Sequence, residues 1–273
     1  MISAVFTAEN NDTHCEKLMR GVRGDAATPG EFRRSQNWVG PAGCTLAAAT
    51  FVPPPPDRLM DGLGPWEKFL HDDTLPPLVH AALAHSQFEA IHPFLDGNGR
   101  VGRLLITLLL IAKGVLPSPL LYLSAWFEAT RPEYYARLFG VTERGEWEEW
   151  LGYFLAGITG QAEDAVRRIQ SIDELLSRWR DQLRKSPARL PEKAIDLFAE
   201  NPFWTVNRLA QRLEVAFTTV QRAIDRLESA RIVALAGEAR RNRVYCARAV
   251  LEILEEPPRL AKERTARRHE RRP

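Results

Sequence analysis

The densest chemistry in the chain is one run, His92-Pro93-Phe94-Leu95-Asp96-Gly97-Asn98-Gly99-Arg100-Val101-Gly102-Arg103. A histidine titrates near neutrality, so His92 is suited to take a proton from an attacking hydroxyl. Asp96 offers a carboxylate to a Mg²⁺ that bridges phosphates. Gly97 and Gly99 let the backbone fold until several N–H groups converge on one anion. A helix starting there would aim its free N–H groups and the positive end of its dipole at the same anion. Arg100 and Arg103 fall on neighbouring positions of that helix, each with a fork of donors for phosphate oxygens. The run therefore reads as a phosphate cradle beside a base.

Two other nucleotide loops are set aside. Gly97 to Gly102 also fits GxGxxG, but that fingerprint needs a strand before it. Here a helical pattern and His92-Pro93 precede it. No Lys-Ser or Lys-Thr follows the glycines, which excludes a Walker A loop. His80 and His85 stand too far from one helix face shared with His92 to form a metal triad, and read as helix-surface or flap-contacting residues.

The elements that must hold this run are helical. Leu78, Val79, Ala82, Leu83 and Phe88 share a face of a helix running to about Ile91, with Pro76 and Pro77 at its start. Pro93 ends it. An apolar helix begins near Gly99 and stops at Lys113-Gly114. Further helices are expected over roughly 124–139, 147–158 and 161–185. Before them, glycines at 30, 40 and 43 punctuate an extended stretch that reads as a hairpin or flap, closed by Pro53–Pro56.

Past Ser186-Pro187 the pattern changes. Val206, Leu209, Ala210 and Leu213 are spaced as one helix face, and so are Val220, Ala223, Ile224 and Leu227. Glu214 to Phe217 makes the turn between them. Strands over 232–235 and 244–247, around a turn at 237–243, complete a winged helix-turn-helix. Thr218, Thr219, Arg222 and Arg226 would face DNA from the second helix, although Asp225 and Glu228 dilute the patch.

The domain reading is 1–28 as a lead-in, 29–160 as the catalytic domain and 161–187 as a helical connector. The winged helix-turn-helix follows over 188–256, and 257–273 is a basic disordered tail. The fold class is mainly α, with a β-hairpin flap and a small winged-helix domain. At 273 residues and 45% hydrophobic, the chain suffices for one large and one small core. The net charge of +2 hides an asymmetry: seven basic and two acidic side chains give the tail about +5 and leave the rest about −3. Three scattered cysteines exclude a disulfide framework and a cysteine zinc site, in keeping with a reducing, cytoplasmic setting. The opening residues lack a signal-peptide pattern, and no apolar run suffices for a bilayer span, so no membrane partner is expected.

The run from His92 to Arg103 matches, at every specified position, the HPFxDGNGRxxR pattern of the Fic family, which this chain resembles over roughly 12–185. Pro29-Gly30-Glu31-Phe32-Arg33 with Gln36-Asn37-Trp38-Val39-Gly40 is similar to the family's flap. The resemblance implies transfer of AMP from ATP to a Tyr, Thr or Ser hydroxyl of a target protein, with His92 as general base. Asp96 would hold Mg²⁺, Asn98 and the loop amides of 96–99 the phosphates, and Arg103, with Arg100 beside it, the γ-phosphate. Tyr134 and Tyr135 match positions lining the adenine pocket. The flap would align the target as an added strand. Glycine at 99 speaks against the sub-branch that phosphorylates its targets and carries lysine there; AMP and UMP both stay open. The rival is a transcription regulator whose Fic-like body senses a nucleotide.

Many family members carry an inhibitory helix with [Ser/Thr]-x-x-x-Glu-[Gly/Asn], whose glutamate pairs with the second motif arginine, here Arg103. Thr142-x-x-x-Glu146 fits its first part, but Trp147 follows. Relatives of this layout place that helix before the flap, so this chain is expected to lack it. Constitutive activity, a separate inhibitory partner and a truncated start all remain open, as does a homodimer.

Overall fold

A computed structural model describes residues 30–184, 190–237 and 242–257. The proposed lead-in 1–28, the tail beyond 257 and Ser186-Pro187 lie outside the described residues. The chain divides into two compact units, before and after the Ala162–Glu163 bond.

In the first unit, α1 (Leu59–Leu70), α2 (Pro77–Ile91), α3 (Asn98–Ala112), α4 (Leu123–Ala129) and α5 (Arg131–Arg144) pack with the first part of α6 (Trp147–Leu183). Helix α2 is central because it is buried on nearly every side: Ala81, Ala82, Ala84, His85 and Phe88 have no exposed surface. Its alanines bring neighbours close. The indole of Trp66 donates to Ala84 O at 2.9 Å and that of Trp150 to Ala82 O at 3.0 Å, fixing α2 from two sides. Helix α3 meets α2 along Val101, Leu105, Ile106, Leu109 and Leu110, an i, i+4, i+5 stripe. At Gly102 a Cβ would stand 2.6 Å from Glu89 Oε1 and 3.1 Å from both His85 Cε1 and Phe88 Cδ1, so only glycine fits between the helices.

The two expected helices over 147–158 and 161–185 are one continuous helix. Gly157 does not break it: a Cβ there would meet Trp126 at 2.5 Å, so this glycine serves close packing. The 124–139 helix, by contrast, is two, divided at Thr130, whose hydroxyl turns back to Trp126 O. The flap is an antiparallel loop closed by a single bridge, Val39 to Phe51, around a short 3-10 turn at Leu46–Ala48. Pro41 and Pro53–Pro56 lack the N–H groups that a longer ladder would need.

The second unit contains the rest of α6, then α7 (Leu190–Glu200), β1 (Phe203–Thr205), α8 (Val206–Leu213), α9 (Phe217–Ser229), β2 (Ala234–Leu235), β3 (Val244–Cys246) and α10 (Arg248–Glu255). Its core includes Leu176 and Trp179 of α6, Phe198, Leu209, Ile224, Leu227, Tyr245 and Val250. The sheet order is β1-β3-β2, antiparallel throughout, with Trp204 and Leu235 both opposite Tyr245. Thr205 caps α8 by accepting from Arg208 N at 3.3 Å. Glu214 ends α8 in the left-handed region, at φ 56°. The guanidinium of Arg168, anchored on Asp164, donates to Leu254 O at 2.7 Å and to Glu256 O, closing the last turn of α10. Neither β1 nor α10 was expected from the sequence. Strands of three residues and helices of eight draw their stability from such neighbours rather than from their own pattern.

Candidate active site

The site is built at the α2–α3 junction. His92 ends α2 in the left-handed region, at φ 50° and ψ 60°, unusual for a side chain with a Cβ. Contacts from the 30s segment hold it there. Arg33 Nε donates to His92 O at 2.9 Å, its Nη2 donates to Pro54 O, and its backbone N–H donates to Pro93 O at 2.9 Å. Asn37 Nδ2 donates to Phe94 O at 2.8 Å. Arg33 is buried, and burial lowers its pKa. Arg33 and Asn37 stood in the flap motif without a role; their pairing with residues nearly 60 positions away is invisible to local pattern.

The imidazole of His92 is largely covered. Its Nδ1 lies 3.2 Å from Glu89 O. A carbonyl only accepts, so Nδ1 carries the proton in the neutral ring and Nε2 keeps the free lone pair. Burial is the main reason the His92 pKa falls to about 4, against a smaller upward pull from the Glu89 carbonyl. At neutral pH the ring is therefore an uncharged base.

Beyond Pro93, Asn98 knits the loop. Its Oδ1 accepts from Phe94 N at 2.9 Å and its Nδ2 donates to Phe94 O at 2.7 Å. Both ends of this amide are thus spent on shaping the loop, and it is 2% exposed. Gly97, at φ 88°, is the N-cap of α3, and no side chain caps that helix. An uncapped helix start of this kind can offer its first N–H groups to an anion. Asp96 accepts from Gly97 N at 2.6 Å and has its other oxygen 3.8 Å from Arg100 Nη2.

A cavity of about 740 Å³ opens here. His92, Asp96, Gly97, Asn98, Gly99, Arg100, Arg103, Tyr134 and Tyr135 all line it, as do Trp38 and Phe51 of the flap. The two tyrosines differ in kind. Tyr134 is 3% exposed, stacked on Phe127 at 4.7 Å, with its hydroxyl 2.9 Å from His85 Nε2. Tyr135 is 42% exposed, and the Arg131 guanidinium sits 5.8 Å from its ring centre. Of the pair, Tyr135 is the ring open to the cavity, while Tyr134 is a buried wall.

His80 and His85 are neither surface nor flap residues; both are fully buried. His80 donates from Nε2 to Phe69 O at 2.8 Å. His85 Nδ1 is 3.0 Å from Gly102 O, so that nitrogen is the donor and Nε2 accepts from the Tyr134 hydroxyl. Burial lowers the His85 pKa to about 3, so it stays neutral and clamps α2, α3 and α5 together. Glu146, the glutamate of the partial inhibitory pattern, is taken up by Arg144 at 2.6 Å. Among the described residues no group of three or more His, Cys, Asp or Glu could hold a metal, and no helix is long and apolar enough to cross a membrane.

Sequence reasoning also missed Glu89. Its carboxyl lines the cavity one helical turn before His92. The acid at His92 −3, on the same helix face, was the signal available.

Residues 12–110 match the model of the Fic/DOC family. The chain is 42% identical over 106 residues to the protein adenylyltransferase Fic of Drosophila yakuba, covering 37% of this chain and 20% of that one. It is 29% identical over 187 residues to the protein adenylyltransferase fic-1 of Caenorhabditis elegans, covering 65% and 33%. The chain thus spans about a fifth to a third of the length of the curated relatives it matches. The fold resembles the crystal structure of a Fic family protein from Desulfovibrio desulfuricans G20, with TM-score 0.51 and 20% identity over 87% of this chain and 67% of that one. Residues 12–110, which hold the central helix, the glycine loop and most of the second helix, thus match a Fic/DOC family domain, and the fold resembles that of a Fic family protein.

Proposed function

We propose that this protein transfers AMP from ATP to a Tyr, Thr or Ser hydroxyl of a target protein. The observation that carries the reading is the neutral, Nδ1-protonated His92 at the edge of one cavity with Arg100, Arg103 and the uncapped start of α3. The relatives named protein adenylyltransferase support it. His92 Nε2 would take the hydroxyl proton as the target oxygen bonds to the α-phosphorus; the α–β bridging bond breaks and pyrophosphate leaves. Arg100, Arg103 and the N–H groups of 98 and 99 would receive the phosphate charge, so catalysis is mostly positioning and electrostatics. The half-exposed Asp96 carboxylate fits Mg²⁺ as a single protein ligand, because that ion commonly takes one or two carboxylates with phosphate oxygens and water. When bound, Mg²⁺ would neutralise phosphate charge. The flap would lay the target alongside Val39 and Phe51 as an extended segment.

Incubation with α-labelled ATP and Mg²⁺, alone and with cell lysate, tests this beside His92→Ala. Label on protein that vanishes in the variant is expected. Failure to bind ATP at all would remove the assignment of the 96–103 loop.

A second reading belongs to the second unit. We propose that helices α8 and α9, the Glu214 turn and the β2–β3 pair form a winged helix-turn-helix. Thr218, Thr219 and Arg222 are exposed on α9, with Arg226 partly so. We propose that this face contacts DNA, in addition to the transfer activity. Electrophoretic retention of genomic fragments that weakens with salt and with Arg222→Ala, but not with His92→Ala, is the expected result. Arg240 and Arg241 of the turn between β2 and β3 lie outside the described residues. An inhibitory partner and a homodimer would appear as added mass in size-exclusion chromatography with light scattering, with a lysate and alone.

A further inference from the structure

The transfer mechanism uses His92 and the arginines but leaves one buried acid unexplained. Glu89 sits on α2 one turn before His92, and its side chain is 9% exposed. Its Oε2 is 4.0 Å from His92 Nδ1. Its Oε1 has no hydrogen-bond partner among the described residues. A Cβ placed at Gly99 would lie 3.0 Å from Arg103 Nη1 and 3.9 Å from Glu89 Oε1, so the acid and that arginine flank a single glycine. A buried polar atom left without a partner costs stability, and such atoms gather where function requires them.

We propose that Glu89 is a positioning residue for the transfer: its carboxylate, held beneath the imidazole and beside Arg103, steadies the imidazolium that forms when His92 takes the target's proton. The inference rests on the transfer reading above. Its chemistry moves one proton. The hydroxyl proton goes to Nε2 while Nδ1 keeps its own, and the resulting positive charge faces the Glu89 carboxylate. After pyrophosphate leaves, the proton passes to solvent or product and the ring is neutral again.

The charge state of Glu89 is set by its surroundings. Facing it are Arg103 from α3, Tyr134 from α5, and His85 and His92 from its own helix; Arg33 and Asp96 act on His92. Burial raises the Glu89 pKa to about 7, against the smaller opposing pulls of Arg103 and of a hydrogen bond with the Tyr134 side chain. A neutral carboxyl at rest leaves Arg103 unneutralised for phosphate. An ionised one makes His92 a stronger base than its own burial allows. The acid and the imidazole then act as a coupled pair, sharing a proton across a range of pH.

The test uses the full chain with ¹³Cε1-labelled histidine. In the wild type the His92 resonance should show a step near pH 7, and in Glu89→Gln that step should be gone. Glu89→Asp, which keeps the charge but withdraws it, should retain a weaker step, and thermal melts confirm that both variants fold. In the transfer assay, Glu89→Gln should lower kcat about tenfold at pH 7 with KM for ATP within about twofold, and should flatten the acid limb of the rate profile. A His92 curve identical in wild type and Glu89→Gln, or an unchanged kcat and acid limb, would overturn the proposal. A Glu89-dependent step in a wild-type chain that labels no protein would sink the transfer reading alone, because the titration does not depend on turnover.

Discussion

Two helix junctions in this chain share a backbone device and differ in everything around it. At His92 and at Glu214 a helix ends on a non-glycine residue in the left-handed region, with φ of 50° and 56°, and another helix follows within a few residues. Glu214 is exposed, and its N–H simply closes the last turn of α8 on Gln211 O. His92 is covered, and Arg33 grips its carbonyl from 59 residues away. The same local strain, of order 1 kcal/mol, therefore caps a helix in one place and aims a base in the other. Burial and long-range hydrogen bonds make the difference.

The largest effect that sharpens the comparison comes from glycine at each junction. Both His92→Gly and Glu214→Gly relieve the positive φ. His92→Gly should reduce labelling of target protein by at least about a thousandfold, since it removes the proposed general base. Glu214→Gly should leave labelling within about twofold. Parallel assays with α-labelled ATP read both. Comparable losses in the two variants would mean that the strain, not the imidazole, is what matters.

Acid should separate the two units next. His85 and His92 have native pKa values of about 3 and about 4, below the ordinary histidine value. The unfolded chain takes up these protons first, so their contribution to stability is full above about pH 6.5 and is lost as pH falls toward 4. Glu89 acts in the opposite sense: its raised pKa of about 7 stabilises the native state below that pH. Two histidines against one acid leave a net loss of several kcal/mol by pH 4. Among the described residues of the second unit, the only resolved shift is a rise at Cys246 from burial, which does not bear on this range. Hydrogen exchange from pH 7 to 4 should show α2 and α3 opening first, while α8 and α9 hold. Equal loss of protection in both pairs would contradict the assigned burial.

Much of the first junction is legible in the sequence, for a local reason. Proline and glycine fix backbone shape wherever they stand, so the stop at Pro93 and the end at Gly114 follow from residue type. The helical faces of α8 and α9 follow from period, whereas the face expected for α2 left out His80, Ala81, Ala84 and His85, which are buried as well. What could not be read is decided by distance in space. Nothing near Arg33 or Asn37 says that they hold the His92 loop. Tyr134 and Tyr135 are adjacent and identical, yet one is a core wall and the other a cavity face, because α5 turns only one of them toward Phe127 and His85. The break between α4 and α5 and the continuity of α6 ran against expectation for a similar reason: Thr130 and Gly157 answer to Trp126, not to their neighbours in sequence.

A smaller effect tests whether packing at the first junction is as tight as its function requires. Gly102→Ala puts a Cβ 2.6 Å from Glu89 Oε1 between α2 and α3. Overpacking of this kind costs about 1–3 kcal/mol. Gly64 of α1 is the control, since a Cβ there meets nothing within 4 Å. Gly64→Ala should be neutral or stabilising by about 0.5–1 kcal/mol, from helix propensity alone. Urea denaturation of the two variants measures the gap. The sign matters more than the size. If Gly102→Ala were also stabilising, α2 and α3 could separate freely, and the distances that set His92, Glu89 and Arg103 against one another would not be held by the fold.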